Sequence, residues 1–437
     1  MKQGSLVALA FLILPGVAAS QQLLTSASAT PAAQSTSPGG TQARITLEDA
    51  IRLSLVHNHA LQAFRSTIQQ SLAEEVTANL RPNPTLGLDA QYLPFFQPDQ
   101  FSGDYIDQSA QFDIGVGYLF ERGKKRQHRL QAARDQTAVV RSQVSDTERQ
   151  LVYSVGQQFV SVLLAESTLQ FAQQDLDSFQ KTVEISQERR RVGDLSEGDF
   201  LKIKLQLLQF QSDVSAAKLA KLQSLAALRE LLGFESVPDD YDVQGTLDYQ
   251  PVRGDLTSLR SLAALNRPDL RAAQQGVVAA ESQLALQKAN GKMDITGTFN
   301  FTHTAGLYTG AFYYSMPLPV FDRNQGEIQR AQYGVTQAQE QASETAQQVS
   351  TDVVSAYANL QTNDQIIQLY RGGYVDQAKQ SRDISEYAYQ RGAVSLLDYL
   401  DSERTYRANQ LAYRQALASY MLAIEQLRQA VGTRNLP

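Results

Sequence analysis

Residues 325–390 constrain this chain more than any other stretch. Their apolar and small residues recur in steps of three and four over a length that no compact core can cover. Ile328, Ala331, Val335, Ala338, Val349, Val353, Ala356, Leu360, Ile367 and Ile384 mark the stripe, and polar residues fill the gaps. At about 1.5 Å per residue, one helix of this extent is on the order of 100 Å long. Gly372 and Gly373 are its weak point, since each Gly costs roughly 1 kcal/mol in a helix interior. The same rhythm runs between Lys125 and Arg189 through Leu151, Val155, Val162, Ala165, Leu169 and Leu176. There Gln173 and Gln174 stand in place of the two glycines, so the spacing predicts an unbroken helix. The chain reads as a duplicated unit.

Composition narrows the class. A net charge of −6 argues against a nucleic-acid partner. With no Cys in 437 residues, disulfides and thiolate metal sites are ruled out. Lys2, the apolar run 6–15 and the small residues 17–20 have the layout of a signal peptide over 1–20, the alternative being a buried helix. Residues 21–43 are Ser, Thr, Ala, Gln, Pro and Gly, a disordered linker by composition. No later run of apolar residues is long enough for a membrane-crossing helix.

Repeat one spans 44–233, repeat two 256–433, with a linker at 234–255 and a tail at 434–437. Thr46, with Glu48 and Asp49 behind it, suits a helix start. That helix is expected to run to about Leu80, before Pro82 and Pro84. Its counterpart begins at Leu256, restarts at Pro268 and ends near Gly291. Each repeat then offers two alternating runs. Leu86, Leu88 and Ala90 alternate with Gly87 and Asp89, and Phe112, Ile114, Val116 and Tyr118 with Asp113, Gly115 and Gly117. In repeat two, Ile295, Phe299 and Phe301 alternate with Thr296, Thr298 and Asn300, while residues 312–316 alternate less cleanly. Such runs suit outer-membrane barrel strands, and equally a half-buried soluble sheet. Four strands cannot close a barrel around a lumen, so the membrane reading requires several chains. Phe95, Phe96, Phe101 and Tyr105 fall in the first hairpin loop, where an aromatic girdle would sit, and 303–309 reads as the second loop.

Strand passes into long helix at Phe120-Glu121-Arg122-Gly123-Lys124-Lys125 and at Phe321-Asp322-Arg323-Asn324-Gln325. Lys124, Lys125, Arg126 and Arg129 oppose the helix dipole. They face either lipid headgroups or solvent. Each long helix ends in a turn, 191–196 or 391–395, followed by a shorter helix. Gly193 with Gly392, Asp199 with Asp398, and Gly233 with Gly432 all stand 199 positions apart.

The ordered set of signal peptide, tandem repeat, strand pairs and long helices resembles the TolC-like outer-membrane efflux factors over residues 45–433. The junction pieces, including Pro319-Val320-Phe321-Asp322-Arg323, look like the heavy-metal efflux branch. The resemblance implies an α+β membrane protein: a homotrimer whose strands form one twelve-strand outer-membrane β-barrel joined to a periplasmic α-helical barrel. It implies a passive exit duct fed by a periplasmic adaptor (membrane fusion protein) and an inner-membrane pump of the RND type, with outer-membrane lipid around the barrel. Phe120, Arg122, Lys124, Lys125, Phe321 and Arg323 then sit at the membrane interface. Asp398 and Asp401, three apart on one helix face, match the family's paired acids at the periplasmic mouth. Asp199 takes the matching place in repeat one, with Lys202 where a second acid would stand. The tip turns supply adaptor contacts at Gly193, Leu195, Ser196, Gly392, Val394 and Ser395. Solvated surface acids, or a helix-start charge, are the plainer readings of the aspartates. A duct for polypeptides in a one-step secretion system and a structural envelope coiled coil are the competing functions. No phosphate loop, catalytic triad or metal-ligand cluster is found in the sequence, so neither an enzyme nor a cofactor is expected. His57 and His59, two apart, point to different helix faces.

Overall fold

The computed structural model describes residues 43–252 and 254–436. The signal-peptide expectation, and the linker apart from Ala43, lie outside the described residues. In chain order come β1 (Arg44–Ile45), α1 (Leu47–His57), α2 (His59–Ala78), β2 (Thr85–Gln91), α3 (Gly103–Gln108), β3 (Gln111–Phe120), α4 (Lys125–Arg191) and α5 (Glu197–Leu232). The linker holds β4 (Asp242–Val243), which pairs in parallel with β1. Repeat two supplies α6 (Leu256–Asn266), α7 (Pro268–Asn290), β5 (Ile295–Thr304), β6 (Leu307–Ser315), α8 (Gln325–Leu369), α9 (Val375–Gln390) and α10 (Leu396–Val431). As the glycine spacing predicts, α5 and α10 are both 36 residues long.

Three expectations need correction. First, the helix expected from Thr46 to Leu80 is broken at Asn58, whose backbone (φ −67°, ψ 114°) matches that of Arg267 (φ −66°, ψ 115°) between α6 and α7. Pro268 signals the break in repeat two. In repeat one Asn58 makes it through its side chain, which accepts from Leu61 N (2.9 Å) and donates to Leu231 O (3.0 Å). Second, 325–390 is not one helix. A π-turn at Tyr370–Tyr374, with Gly373 at φ 107°, separates α8 from α9, whereas α4 runs through Gln173 and Gln174 unbroken for 67 residues. Third, the loop expected at 303–309 is a two-residue turn. Ala305 and Gly306 both have positive φ (52° and 74°), the form that suits the twist of a tight hairpin.

The sheet is antiparallel, in the order β2-β3-β5-β6. Its register puts Phe112, Ile114 and Val116 beside His303, Phe301 and Phe299 on one face. Gly115 faces Asn300, and Gly117 faces Thr298, on the other. Leu86, Leu88, Ile114, Val116 and Phe312 of the apolar face are exposed. No helix among the described residues is long and apolar enough to cross a membrane.

The core is strung out in three clusters instead of one. One lies where α6, α8 and α10 meet, around Val353, Leu360, Tyr420 and Leu427. Another lies where α1, α4 and α5 meet, around Val155, Phe159, Leu228 and Leu232. The third closes the hairpin tips.

Candidate channel mouth and membrane junction

Both tip turns are built alike. Asp194 N donates to Arg189 O and Ala393 N to Ala388 O, each at 2.8 Å, across glycines in the left-handed region (Gly193 φ 89°, Gly392 φ 73°). Such bonds satisfy the last carbonyls of a helix, and glycine takes the conformation without strain. Ser196 and Ser395 then cap the returning helices, accepting from Asp199 N (3.1 Å) and Asp398 N (3.2 Å). Gly193, Ser196, Gly392 and Ser395 are exposed, while Leu195 and Val394 pack partly buried against the tip cluster. Phe179 stacks on Phe210 (4.4 Å) within repeat one and Tyr389 on Tyr399 (5.3 Å) within repeat two, and the cluster joins the two, with the Tyr399 hydroxyl 3.4 Å from that of Thr182. Arg189 of α4 crosses to donate to Tyr389 O at 2.9 Å.

The three aspartates have unequal surroundings. Asp398 is exposed and accepts from Ser395 Oγ (2.7 Å) and Ser395 N (3.3 Å), closing a reciprocal capping box. Asp401 is exposed and paired with Arg404 at 2.8 Å. Asp199 is held by Lys202 (3.0 Å) and Ser196 (2.9 Å), which together keep its carboxyl below the usual range. Of these three, Asp398 alone has no cation within ion-pair reach among the described residues. The structure therefore gives Asp199 a counter-charge from Lys202, and it brings Asp199 into no hydrogen bond with Asp398 or Asp401.

At the strand-to-helix junction the two remaining possibilities for the basic stretch, lipid or solvent, fail for two of its members. Lys125 is buried and paired with Asp294 at 2.7 Å, and Asp294 also accepts from Arg122 N (2.8 Å). Arg129 pairs with Glu121 (2.6 Å) and donates to Ala78 O and Leu80 O, closing the C-terminal end of α2. Asp294 carried no signal in the sequence, because its partner lies 169 positions away. In repeat two Asn324 does the corresponding work without charge, donating to Gln287 O at 2.8 Å. Arg323 folds back on Pro319 O (3.1 Å), and Phe120 and Phe321 are left exposed. No group of three or more His, Asp or Glu able to hold a metal is present among the described residues.

Paired hairpins of this length, carrying a small sheet with one exposed apolar face, define the class of outer-membrane export channels. The family described as outer membrane efflux protein matches residues 50–234 and 259–433, and the chain belongs to it. It is the outer-membrane channel component of a tripartite efflux pump, seated in the outer membrane and reaching into the periplasm. The cobalt-zinc-cadmium resistance protein CzcC of Cupriavidus metallidurans is 22% identical over 363 residues, covering 83% of this chain and 84% of that one. The pyoverdine export outer membrane protein OpmQ of Pseudomonas putida is 24% identical over 411 residues, 86% of this chain and 84% of that protein. Among solved structures, CusC superposes with a TM-score of 0.73 at 19% identity, covering 89% of this chain and 92% of that one. The CmeC channel of Campylobacter jejuni gives 0.74 at 15%, over 89% and 86%.

Proposed function

We propose that three copies of this chain assemble into one duct, with the sheets closing a barrel in the outer membrane and the helices forming a tunnel below it. One observation carries this reading: β2 and β6 are free edges of a four-stranded sheet whose apolar face is exposed. A bilayer does not tolerate open strand edges, and closure by further copies satisfies them. The tip turns dock a periplasmic adaptor through Gly193, Ser196, Gly392 and Ser395, and an RND-type pump supplies the energy. Sedimentation in detergent tests the assembly. A stable monomer with its strand content intact would sink it.

The cargo proposed is metal cations, in keeping with the resistance protein similar to this chain over most of its length. Asp398 and Asp401 of each copy gather at the periplasmic mouth, where carboxylates attract cations and resist anions. Three of the six are offset by Arg404, so Asp398 supplies most of the field. Deleting the gene should sensitise its host to divalent metals, and Asp398→Asn should reduce the cation preference of single channels. A second reading, export of a small organic chelator, is favoured by the match to OpmQ over 86% of this chain. Sensitivity unchanged for metals, with an organic product retained in the periplasm, would select it.

A further inference from the structure

Below the π-turn, the buried seams of the coils carry carboxylates at two positions. On α4 the series runs Ala172, Asp175, Phe179, Thr182 and Ser186, and on α10 it runs Leu396, Tyr399, Glu403 and Tyr406, in steps of three and four. Asp175 and Glu403 are 6% and 5% exposed, and they face each other across the seam. Arg407 of α10 reaches Asp175 at 2.6 Å and also binds Asp213 of α5. Arg382 of α9 stands 3.9 Å from Glu403, but Asp383 (3.1 Å) and Glu386 (3.2 Å) compete for it. Both guanidinium groups lie over rings, Arg382 on Tyr406 (4.7 Å) and Arg407 on Phe210 (4.2 Å). Arg414 lies over Phe171 and pairs with no carboxylate among the described residues. The hydroxyls of Tyr399 and Tyr406 stay neutral, their titration raised by burial.

Five carboxylates thus share two arginines, and two of the five are buried side by side. Like charges in that setting do not both ionise. Burial first, then the charge of Asp175, pushes Glu403 up to about 8. Burial raises Asp175 as well, against the pull of Arg407. At neutral pH the pair holds one proton between α4 and α10.

We propose that Asp175 and Glu403 form a proton-held latch between the two hairpins, which frees α9 and α10 from α4 as the periplasmic side turns alkaline and so regulates the mouth. The inference rests on the channel reading above. With its proton the pair hydrogen-bonds across the seam. Without it, two negative charges oppose each other between α4 and α10, while Glu403 attracts Arg382 on α9 more strongly. The α9–α10 hairpin is thereby released as a unit, and Gly373 in the π-turn supplies the pivot above it. The sign follows from linkage. Folding raises the proton affinity of Glu403, so the contribution of the latch is full below the ordinary carboxylate range and lost as pH rises through about 8.

The chain has no Cys, so spin labels can be placed at will. Gln180→Cys on α4 and Gln380→Cys on α9, both exposed, report the separation of the hairpins in the assembled protein. The distance should lengthen with a midpoint near pH 8 and stay short in Glu403→Gln. Should that variant fail to assemble, Asp175→Asn removes the same repulsion and must also stay short. A distance indifferent to pH, or the same lengthening in the variants, overturns the latch. In planar bilayers the open fraction should rise severalfold over the same window and stay flat in Glu403→Gln. A channel whose conductance ignores pH overturns the regulatory proposal and leaves the channel reading intact. A protein that separates its hairpins with pH but never conducts overturns the channel reading instead.

Discussion

The long arm of repeat one, α4, and that of repeat two, α8 with α9, have the same apolar rhythm and opposite mechanics. The first is a continuous rod from the sheet to the tip; the second is broken at Tyr370–Tyr374. Two matching positions in each arm account for it. Gln173 and Gln174 propagate a helix, while Gly372 and Gly373 give up that propensity, and Gly373 takes a φ of 107° that a side chain would resist. The rod is also pinned at its top by a buried ion pair to Asp294, where the broken arm is tied to α7 by the neutral side chain of Asn324. One arm is continuous from sheet to tip, and the other carries a joint.

The largest effect should come from the joints that the repeats share. Gly233 and Gly432 end the two hairpins with φ of 88° and 78°, each lying on the break in the helix pair above it. A Cβ on Gly233 would sit 2.7 Å from His57 O, and one on Gly432 3.2 Å from the Asn266 carbonyl carbon. Gly233→Ala is expected to destabilise by about 3 kcal/mol and Gly432→Ala by about 2 kcal/mol, read from thermal melts in detergent. Gly193→Ala at the tip, where a Cβ meets nothing within 4 Å, should cost only the backbone strain, about 1 kcal/mol. Equal losses at 193 and 233 would break the distinction between open tip and closed joint.

Next comes the charged pin of the rod. Asp294→Ala strands Lys125, whose side chain is 11% exposed, and should cost about 2 kcal/mol after allowance for partial solvation. Asn324→Ala, its neutral counterpart, should cost about 1 kcal/mol. Hydrogen exchange in the first turns of α4 and α8 would show whether the pinned end is the slower one. If the two ends exchange alike, the pin adds nothing.

Exchanging the glutamines and glycines tests the difference between the arms directly. Gln173→Gly with Gln174→Gly should weaken α4 by about 1 kcal/mol per site, and amide exchange near 170–178 should quicken. Faster exchange confined to other regions would mean that packing by α5, not propensity, keeps the rod straight.

The smallest effect on stability is expected at the mouth. Asp398→Asn keeps an oxygen for the Ser395 cap and should change stability by under about 0.5 kcal/mol, whereas Asp398→Ala loses the cap for about 1 kcal/mol. The asparagine variant should still lose block by multivalent cations applied from the periplasmic side. Asp199→Asn should leave that block nearly unchanged, because Lys202 already offsets the charge. A common response from both would return the acids to ordinary surface charges.

Much of the architecture was legible because it is periodic. Steps of three and four foretold α4 and the stripe shared by α8 and α9, alternation foretold β2, β3 and β5, and the constant spacing of Gly193 with Gly392 and of Gly233 with Gly432 foretold equal hairpins. The break at Asn58 was missed because an asparagine side chain does there what Pro268 does in repeat two, and only the nearby Leu231 carbonyl reveals it.

The sequence by itself determined the apolar stripes of the long helices and the alternation of the strands, since these depend on neighbours a few positions away. What the buried charges do was decided by the tertiary structure. Asp175 looks like any polar residue of a helix until Glu403, far along the chain, is packed against it. Lys125 looks solvated until Asp294 arrives beside it. Pairing across a fold depends on which helices become neighbours, and burial then sets whether a charge is free, countered or held as a proton.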